Sequence, residues 1–219
     1  VLDVRPGRSR LRIDEGRPVG AADRLGDPGL QSERELRALV EGDDDIVLRC
    51  IELGLKAPTG SNGQNWQFVI VKDREVLATF AQRYRQAWKL YGGLGERVVG
   101  DDESMRKVLA AVAWQVEHFE ESPVVVVACL EGAQRFAPVP AIAASSWYGS
   151  VYPSVQNLLL AARAMGLGAS LITLPLWSVT LSRRTLGLPL TVQPVCMIPM
   201  GWPRGRYGPT TRKPVGDVV

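Results

Sequence analysis

The period of the apolar positions changes several times along this chain, and those changes divide it into elements. From Asp45 to Ala57 the apolar residues fall at helical spacing, and Asp43, Asp44 and Asp45 complement the helix N-terminus. Pro58 stops this helix, because proline lacks an N–H and clashes with the preceding turn. A small polar loop, T-G-S-N-G-Q-N, runs over 59–65, and Trp66–Val71 then reads as a buried strand. Amphipathic helices are expected over 74–91 and 105–121, the second with Leu109, Val112, Ala113, Val116 and Phe119 on one face. Between them, 92–104 is rich in glycine and charge, which predicts a loop long enough to act as a flap. Pro123–Leu130 has no polar face, so it predicts a central strand covered on both sides. A proline-broken connection over 135–149 leads into a helix of about 150–165. A strand over 169–174, a short helix capped by Ser178 and ending near Gly187, and a last strand over 193–200 complete the series.

Ahead of Asp45 the periodicity is weak. Residues 1–44 are rich in Arg, Gly, Asp and Pro, and within them 32–40 reads as a helix with Ser32 and Glu35 as a capping box. The expected organisation is an irregular N-terminal segment, 1–44, followed by one domain over 45–219. Helices interleave with strands of which two are wholly apolar, so the class is a layered α/β or α+β sheet protein.

Composition narrows the function classes. Hydrophobic residues make up 46% of the 219 and charged residues 22%, as in a soluble globular protein. No apolar run approaches the roughly 18 residues of a membrane span, and the charged start shows no signal-peptide core. Cys50, Cys129 and Cys196 are scattered in apolar surroundings, which predicts buried thiols in a reducing, cytoplasmic setting rather than disulfides or a metal set. The net charge of +3 is small and dispersed, which argues against nucleic acid. Arginines cluster at 5–12 and 204–213, either as solvated ends or to hold an anionic group.

Self-contained catalytic motifs fail one by one. Gly166-Leu-Gly168 follows a helix and precedes a strand, the reverse of a dinucleotide fingerprint. His118, the single histidine, lies in the charged stretch E-H-F-E-E and reads as a surface residue. No catalytic side chain and no metal site is expected, which suits chemistry carried by a cofactor. The 59–65 loop is either an ordinary helix-to-strand turn or a rim of donors, Ser61, Asn62, Gln64 and nearby backbone N–H groups, suited to a planar ligand with many acceptors.

Three ordered stretches carry a family resemblance. A-P-T-G-S-N-G-Q-N-W over 57–66, G-S-V-Y-P-S-V-Q-N through L-G-L-G-A-S-L-I-T-L over 149–174, and G-W-P-R-G-R-Y-G-P-T-T-R-K-P-V over 201–215 resemble the signatures of the FMN-dependent nitroreductase family. The resemblance implies an α+β fold with a mixed sheet flanked by helices. It also implies a domain-swapped homodimer whose C-terminal tail crosses to the partner, with FMN at the subunit interface. Pro58, Thr59, Gly60, Asn62 and Gln64 would then contact the flavin from one subunit, and Ser150 and Tyr152 would approach the ring from the start of the long helix. Leu171, Ile172, Thr173 and Leu174 would run along the ring edge through their backbone, otherwise serving as plain strand core, and Arg212 would bind the FMN phosphate.

Arg8, Ser9 and Arg12 resemble the family's N-terminal phosphate motif, at a distance from Ala57 that requires an insertion over about 20–44. Arg34 and Arg37 are the alternative, although Glu35 beside a phosphate is unfavourable. A third reading is that FMN is held weakly. The implied reaction is ping-pong: NAD(P)H reduces the flavin, which reduces a small electron-poor acceptor such as a nitroaromatic, quinone or activated alkene. Trp88, Tyr91, Trp147 and the 92–104 loop would wall and cover the acceptor, or else be core packing and surface. Alternatives are dehalogenation or dehydrogenation on the same fold, or a flavin-binding module without turnover.

Overall fold

The computed structural model describes residues 2–3, 36–37, 44–99, 103–132, 141–203, 205 and 212–219. In chain order the elements are β1 (Leu2–Asp3), β2 (Leu36–Arg37), α1 (Asp44–Gly54), β3 (Trp66–Val71), α2 (Arg74–Val99) and α3 (Glu103–His118). Then follow β4 (Val124–Glu131), α4 (Ala141–Ala164), β5 (Gly168–Ala169), α5 (Val179–Leu186) and β6 (Val192–Pro203). The strands form one sheet in the order β1-β3-β4-β6-β2, with β5 also on β6. β1 runs parallel to β3, and the other pairs are antiparallel.

β4 sits in the middle of the sheet, and its residues from Val124 to Leu130 are all buried. Side chains alternate across a strand, and here the alternation feeds two cores. Val124, Val126, Ala128 and Leu130 join Phe68 and Ile70 on the side covered by α1 and α4. Val125, Val127 and Cys129 join Val69 and Val71 on the side covered by α2, with Leu77, Phe80 and Tyr84. A bulge opposite Ala128 and Cys129 adds one residue to β6, so that Val195 and Cys196 both face the first core. α1 buries Val47, Cys50, Ile51 and Gly54, and α4 buries Val151, Ser154, Val155 and Leu158, each a stripe at helical spacing. The Asp73 carboxylate caps α2, accepting the N–H groups of Glu75 at 2.9 Å and Val76 at 3.1 Å. Among the described residues no helix is long and apolar enough to cross a membrane.

Several expected elements take another form. The helix expected over 32–40 is not formed at Leu36–Arg37, which pair as β2 with Trp202 and Pro203. A helix of so few residues is marginal by itself, and the open edge of β6 supplies backbone partners instead. The flap expected over 92–104 is helical through Val99. A glycine in a helix costs about 1 kcal/mol, a penalty that an already nucleated helix of 26 residues tolerates. Gly92 also has a packing reason: a Cβ there would lie 2.9 Å from the Trp88 indole. α4 begins at Ala141, ahead of the expected start near 150, and continues through Pro153.

The strand expected over 169–174 shrinks to β5 plus an isolated pairing of Ile172 with Met197. The register that pairs Ala169 with Met200 and Ile172 with Met197 sets Ser170 opposite Pro199. Proline offers no N–H, so the ladder lacks a donor at that point and the strand breaks.

The three thiols are free and buried. Burial pushes Cys129 and Cys196 up to about 12 and Cys50 up to about 11, from an ordinary value of 9.0. An unfolded chain ionises its thiols near the ordinary value, whereas the folded chain keeps their protons. The thiols' contribution to stability is therefore level below about pH 9 and falls as pH rises from there toward about 12, by up to about 1.4 kcal/mol per pH unit for each thiol. Urea melts under reducing conditions should show a lower midpoint at about pH 10.5, above the ordinary thiol pKa, than at about pH 8, below it; equal midpoints would refute the burial argument.

Candidate functional site

The 57–65 segment leaves α1 through a turn in which the Ala57 N–H bonds the Gly54 carbonyl at 3.1 Å. Its backbone then takes an unusual course: Ser61, Asn62 and Gln64 have φ of 52°, 51° and 49°. Side-chain-bearing residues in this left-handed region cost of order 1 kcal/mol each and concentrate at functional sites. The strain is held in place by specific bonds. The Gly60 N–H donates to Ser150 Oγ at 3.1 Å, and the Ser150 hydroxyl donates to the Ser146 carbonyl at 2.9 Å. The Gln64 N–H donates to Thr59 Oγ1 at 3.3 Å, and the Asn62 N–H to the Thr59 carbonyl at 3.1 Å. On the strand side, the Asn65 carbonyl accepts the Glu131 N–H at 2.7 Å. Pro58, Gly60, Ser61, Asn62 and Gln64 are all exposed, so the strained loop presents its polar groups outward.

The structure therefore brings Thr59, Gly60, Asn62 and Gln64 to one place with Ser150. Ser150 does not start the long helix but lies in the third turn of α4. Ser146, one turn earlier, completes the same contact and was not singled out from the sequence. Its i, i+4 spacing from Ser150 was the available signal once the helix is extended back to Ala141. Pro153 brings no N–H to the Gly149 carbonyl, which leaves an acceptor beside Ser150. Tyr152 is partly exposed and stacks on Tyr148 at 6.1 Å, and Tyr148 Oη accepts from Gln193 Nε2 at 3.1 Å. Burial, then Cys196 and Tyr148, raise the Tyr152 pKa, so its phenol stays protonated and able to donate.

Leu171–Leu174 lie elsewhere. Ile172 and Leu174 pack with the α2 side of the sheet, whereas Ser150's neighbours Val151 and Val155 belong to the α1–α4 side. Leu171 and Thr173 are exposed, and the Ile172 side chain is buried as core. Ile172 exchanges two backbone hydrogen bonds with Met197, of 2.9 and 2.8 Å, and the Thr173 carbonyl accepts the Leu176 N–H at 2.9 Å. Among the described residues the Thr173 N–H has no hydrogen-bond acceptor, so a donor on this edge is open to a ligand.

Arg212 is exposed. Arg8, Ser9, Arg12 and Arg34 lie outside the described residues, and of the alternative pair only Arg37 is placed, in β2. Trp88 is half-buried against the α2-side core, with Tyr91 exposed at 6.5 Å from it, and Trp147 packs on the other core. His118 stacks on Trp114 at 4.3 Å and meets Glu121 at 2.8 Å.

Helices on both faces of a mixed sheet, with an exposed strained loop at the α1–β3 turn, define an α+β protein with a ligand-facing rim. The chain belongs to the nitroreductase family, whose sequence profile matches residues 32–202. A protein of Methanothermobacter thermautotrophicus named for NADH dehydrogenase and NAD(P)H nitroreductase is 21% identical over 189 residues, 82% of this chain and 78% of that one. Among solved structures, iodotyrosine deiodinase bound to FMN and 3-iodo-L-tyrosine is similar with a TM-score of 0.64 and 20% identity, over 84% of this chain and 91% of that one. The NADPH:FMN oxidoreductase of Vibrio harveyi in complex with NAD+ has a TM-score of 0.62 and 22% identity, over 87% and 72% of the two chains.

Proposed function

We propose that the protein is an FMN-dependent oxidoreductase that passes a hydride from NAD(P)H to a small electron-poor acceptor, a nitroaromatic, quinone or activated alkene, by alternating half-reactions. The observation that carries this reading is the strained, outward-facing loop of Ser61, Asn62 and Gln64, locked by Ser150 in a family member. Bound FMN supplies the hydride-accepting and hydride-donating centre, and the relatives named for FMN and NAD(P)H support that choice.

The residues present suit such a group. The loop turns outward the side-chain amides of Asn62 and Gln64, which suit a planar ring with several polar atoms. The open Thr173 N–H offers a donor to a ring nitrogen without needing a particular side chain there, which accommodates a threonine and a leucine at 173 and 174. Pro58, Thr59, Gly60, Asn62, Gln64, Ser150 and Tyr152 make one surface toward the ring, and the backbone of Leu171–Leu174 makes another. Arg212, with Arg8, Ser9 and Arg12, takes the phosphate, since the guanidinium fork matches phosphate oxygens. Residues 45–219 form the flavin domain and 1–44 its N-terminal segment, and a reducing cytoplasm suits free buried thiols.

The two ring-facing surfaces pack with opposite faces of one sheet, which supports a site shared between two copies, hence a homodimer with exchanged tails. The exposure of Val215 (75%) and Val218 (67%) near the tail's end supports the same arrangement. Sedimentation at micromolar concentration should give twice the chain mass.

The likeness to the deiodinase prompts a second reading, reductive dehalogenation, on the same cofactor. The deciding experiment is anaerobic addition of NADPH to the FMN-loaded protein. Bleaching of the flavin band, and its return with a nitroarene or quinone, is the expected result; return only with a halogenated phenol favours the second reading. No bleaching would sink the oxidoreductase assignment. In the same assay Arg212→Ala should lower FMN retention about tenfold, as loss of a charge-assisted phosphate contact does, without unfolding the protein.

A further inference from the structure

Ser170 stands where the sheet fails. Opposite it is Pro199, which gives no N–H, so the backbone ladder that holds Ala169 and Ile172 to β6 has no donor from β6 at this step. A side chain takes over: Gln115 Nε2, on α3, donates to Ser170 Oγ at 2.8 Å, across 55 positions of sequence. The other end of the same carboxamide is anchored as well. Tyr84, 2% exposed, directs its hydroxyl to Gln115 Oε1 at 3.5 Å. The carboxamide is thus held at both ends by a hydroxyl, Ser170 at one and Tyr84 at the other. Burial pushes the Tyr84 phenol up to about 12, so it remains a donor across the working range of pH.

The neighbouring chain explains why this grip matters. Ile172 is pinned to Met197, and Thr173, the next residue, carries the open N–H. The Thr173 N–H shares a planar peptide unit with the Ile172 carbonyl, which the Met197 N–H holds at 2.8 Å. That pair is an isolated bridge with no ladder on its Ser170 side, so Gln115, by holding Ser170 from α3, keeps the bridge from fraying and the donor from swinging.

We propose that Gln115 is a positioning residue: through Ser170 it sets the direction in which the Thr173 N–H meets the flavin. This rests on the flavin reading above. No local pattern hints at it, because the partner of Gln115 lies 55 positions away in the sequence.

The test uses Gln115→Leu, Ser170→Ala and the double variant in the purified protein. Hydrogen exchange is measured first, since it does not depend on turnover. The amides of 170–174 should exchange about tenfold faster in either single variant and no faster in the double, with the amides of α1 and α4 unchanged. In the FMN-loaded protein the rate constant for flavin reduction by NADPH should fall about tenfold, a misplacement effect, while KM for NADPH and flavin retention stay within about twofold. Gln115→Glu, whose carboxylate accepts from the Ser170 hydroxyl, should recover part of the rate. Faster exchange with an unchanged reduction rate would make Gln115 merely structural and overturn the proposal, as would additive single effects. Ser170→Ala removes one oxygen and keeps the comparison available if Gln115→Leu does not fold. Wild-type protein that takes up no FMN would overturn the flavin reading itself, a result seen before any variant is made.

Discussion

Gly60→Val is expected to strip the protein of FMN and leave its fold intact. A Cβ at position 60 would lie 3.2 Å from Ser146 Oγ and 3.7 Å from Ser150 Oγ, the two hydroxyls on the facing side of α4. The first distance is already tight, and the two methyl groups of valine extend further into the same space. The Gly60 N–H then loses Ser150, its 3.1 Å partner, and with it the bond that ties the loop to the helix. Ser61, Asn62 and Gln64 hold left-handed backbone only while their surroundings insist on it. Freed from Ser150, they relax toward ordinary backbone and the ligand-facing donors turn away. FMN affinity should fall about 100-fold, equivalent to about 2.7 kcal/mol. The loop is exposed, so the change in folding stability should stay within about 1 kcal/mol. Titration of flavin fluorescence measures the first quantity and a thermal melt the second. Ser150→Ala, which removes the acceptor without adding bulk, should lie between wild type and Gly60→Val. An unchanged dissociation constant in Gly60→Val would mean that the loop does not hold the flavin.

Gly54→Val is the converse case, a loss of stability. Gly54 is buried where α1 meets α4, and a Cβ there would lie 3.1 Å from the Ser154 carbonyl oxygen and 3.4 Å from Leu158 Cβ. The first obstacle is backbone, which cannot rotate aside. Ser154 and Leu158 are themselves 0% exposed, so the space cannot be borrowed from solvent. Valine forces the two helices apart, at about 3 kcal/mol for overpacking of this kind. In a domain of this size that lowers the melting temperature by roughly 6–12 °C. Gly54→Ala should fall partway. A valine variant with the wild-type urea midpoint would show that the helices do not approach as closely as described. Because α1 and α4 carry the two halves of the loop contact, surviving folded protein should also bind flavin less tightly.

The elements that were legible in the sequence are those whose apolar pattern has one period and one partner. β3 from Phe68 and β4 up to Leu130 read as apolar runs because each is buried on both faces there, and their alternate residues feed both cores. The face of α1 was legible for the same reason. Ser178 and Gly187 marked the ends of α5, and Gly187 does adopt the left-handed cap with φ of 64°, although the Ser178 side chain makes no capping bond. The failures share a different cause. At Leu36–Arg37 a local helical pattern yields to the open edge of β6. Beyond Tyr91 the glycines suggested a loop, whereas α2 continues through them. At 170–174 a strand pattern is interrupted by Pro199, which is distant in sequence.

Family membership and the identity of the loop residues were within reach of the sequence, since Pro58, Thr59, Gly60, Asn62 and Gln64 form one short stretch with a distinctive composition. What that stretch does was not. The sequence by itself determined the order of elements, the two-faced strands and the stretch that turns outward, because these depend on residue types and spacings along one segment. Only the tertiary structure decided that Ser146 and Ser150 lock the loop, that Leu171–Leu174 pack toward the opposite side of the sheet, and that Gln115 replaces a missing ladder bond at Ser170. Each of those depends on hydrogen bonds or packing between groups as far apart as 90 positions, and no local pattern encodes such a meeting.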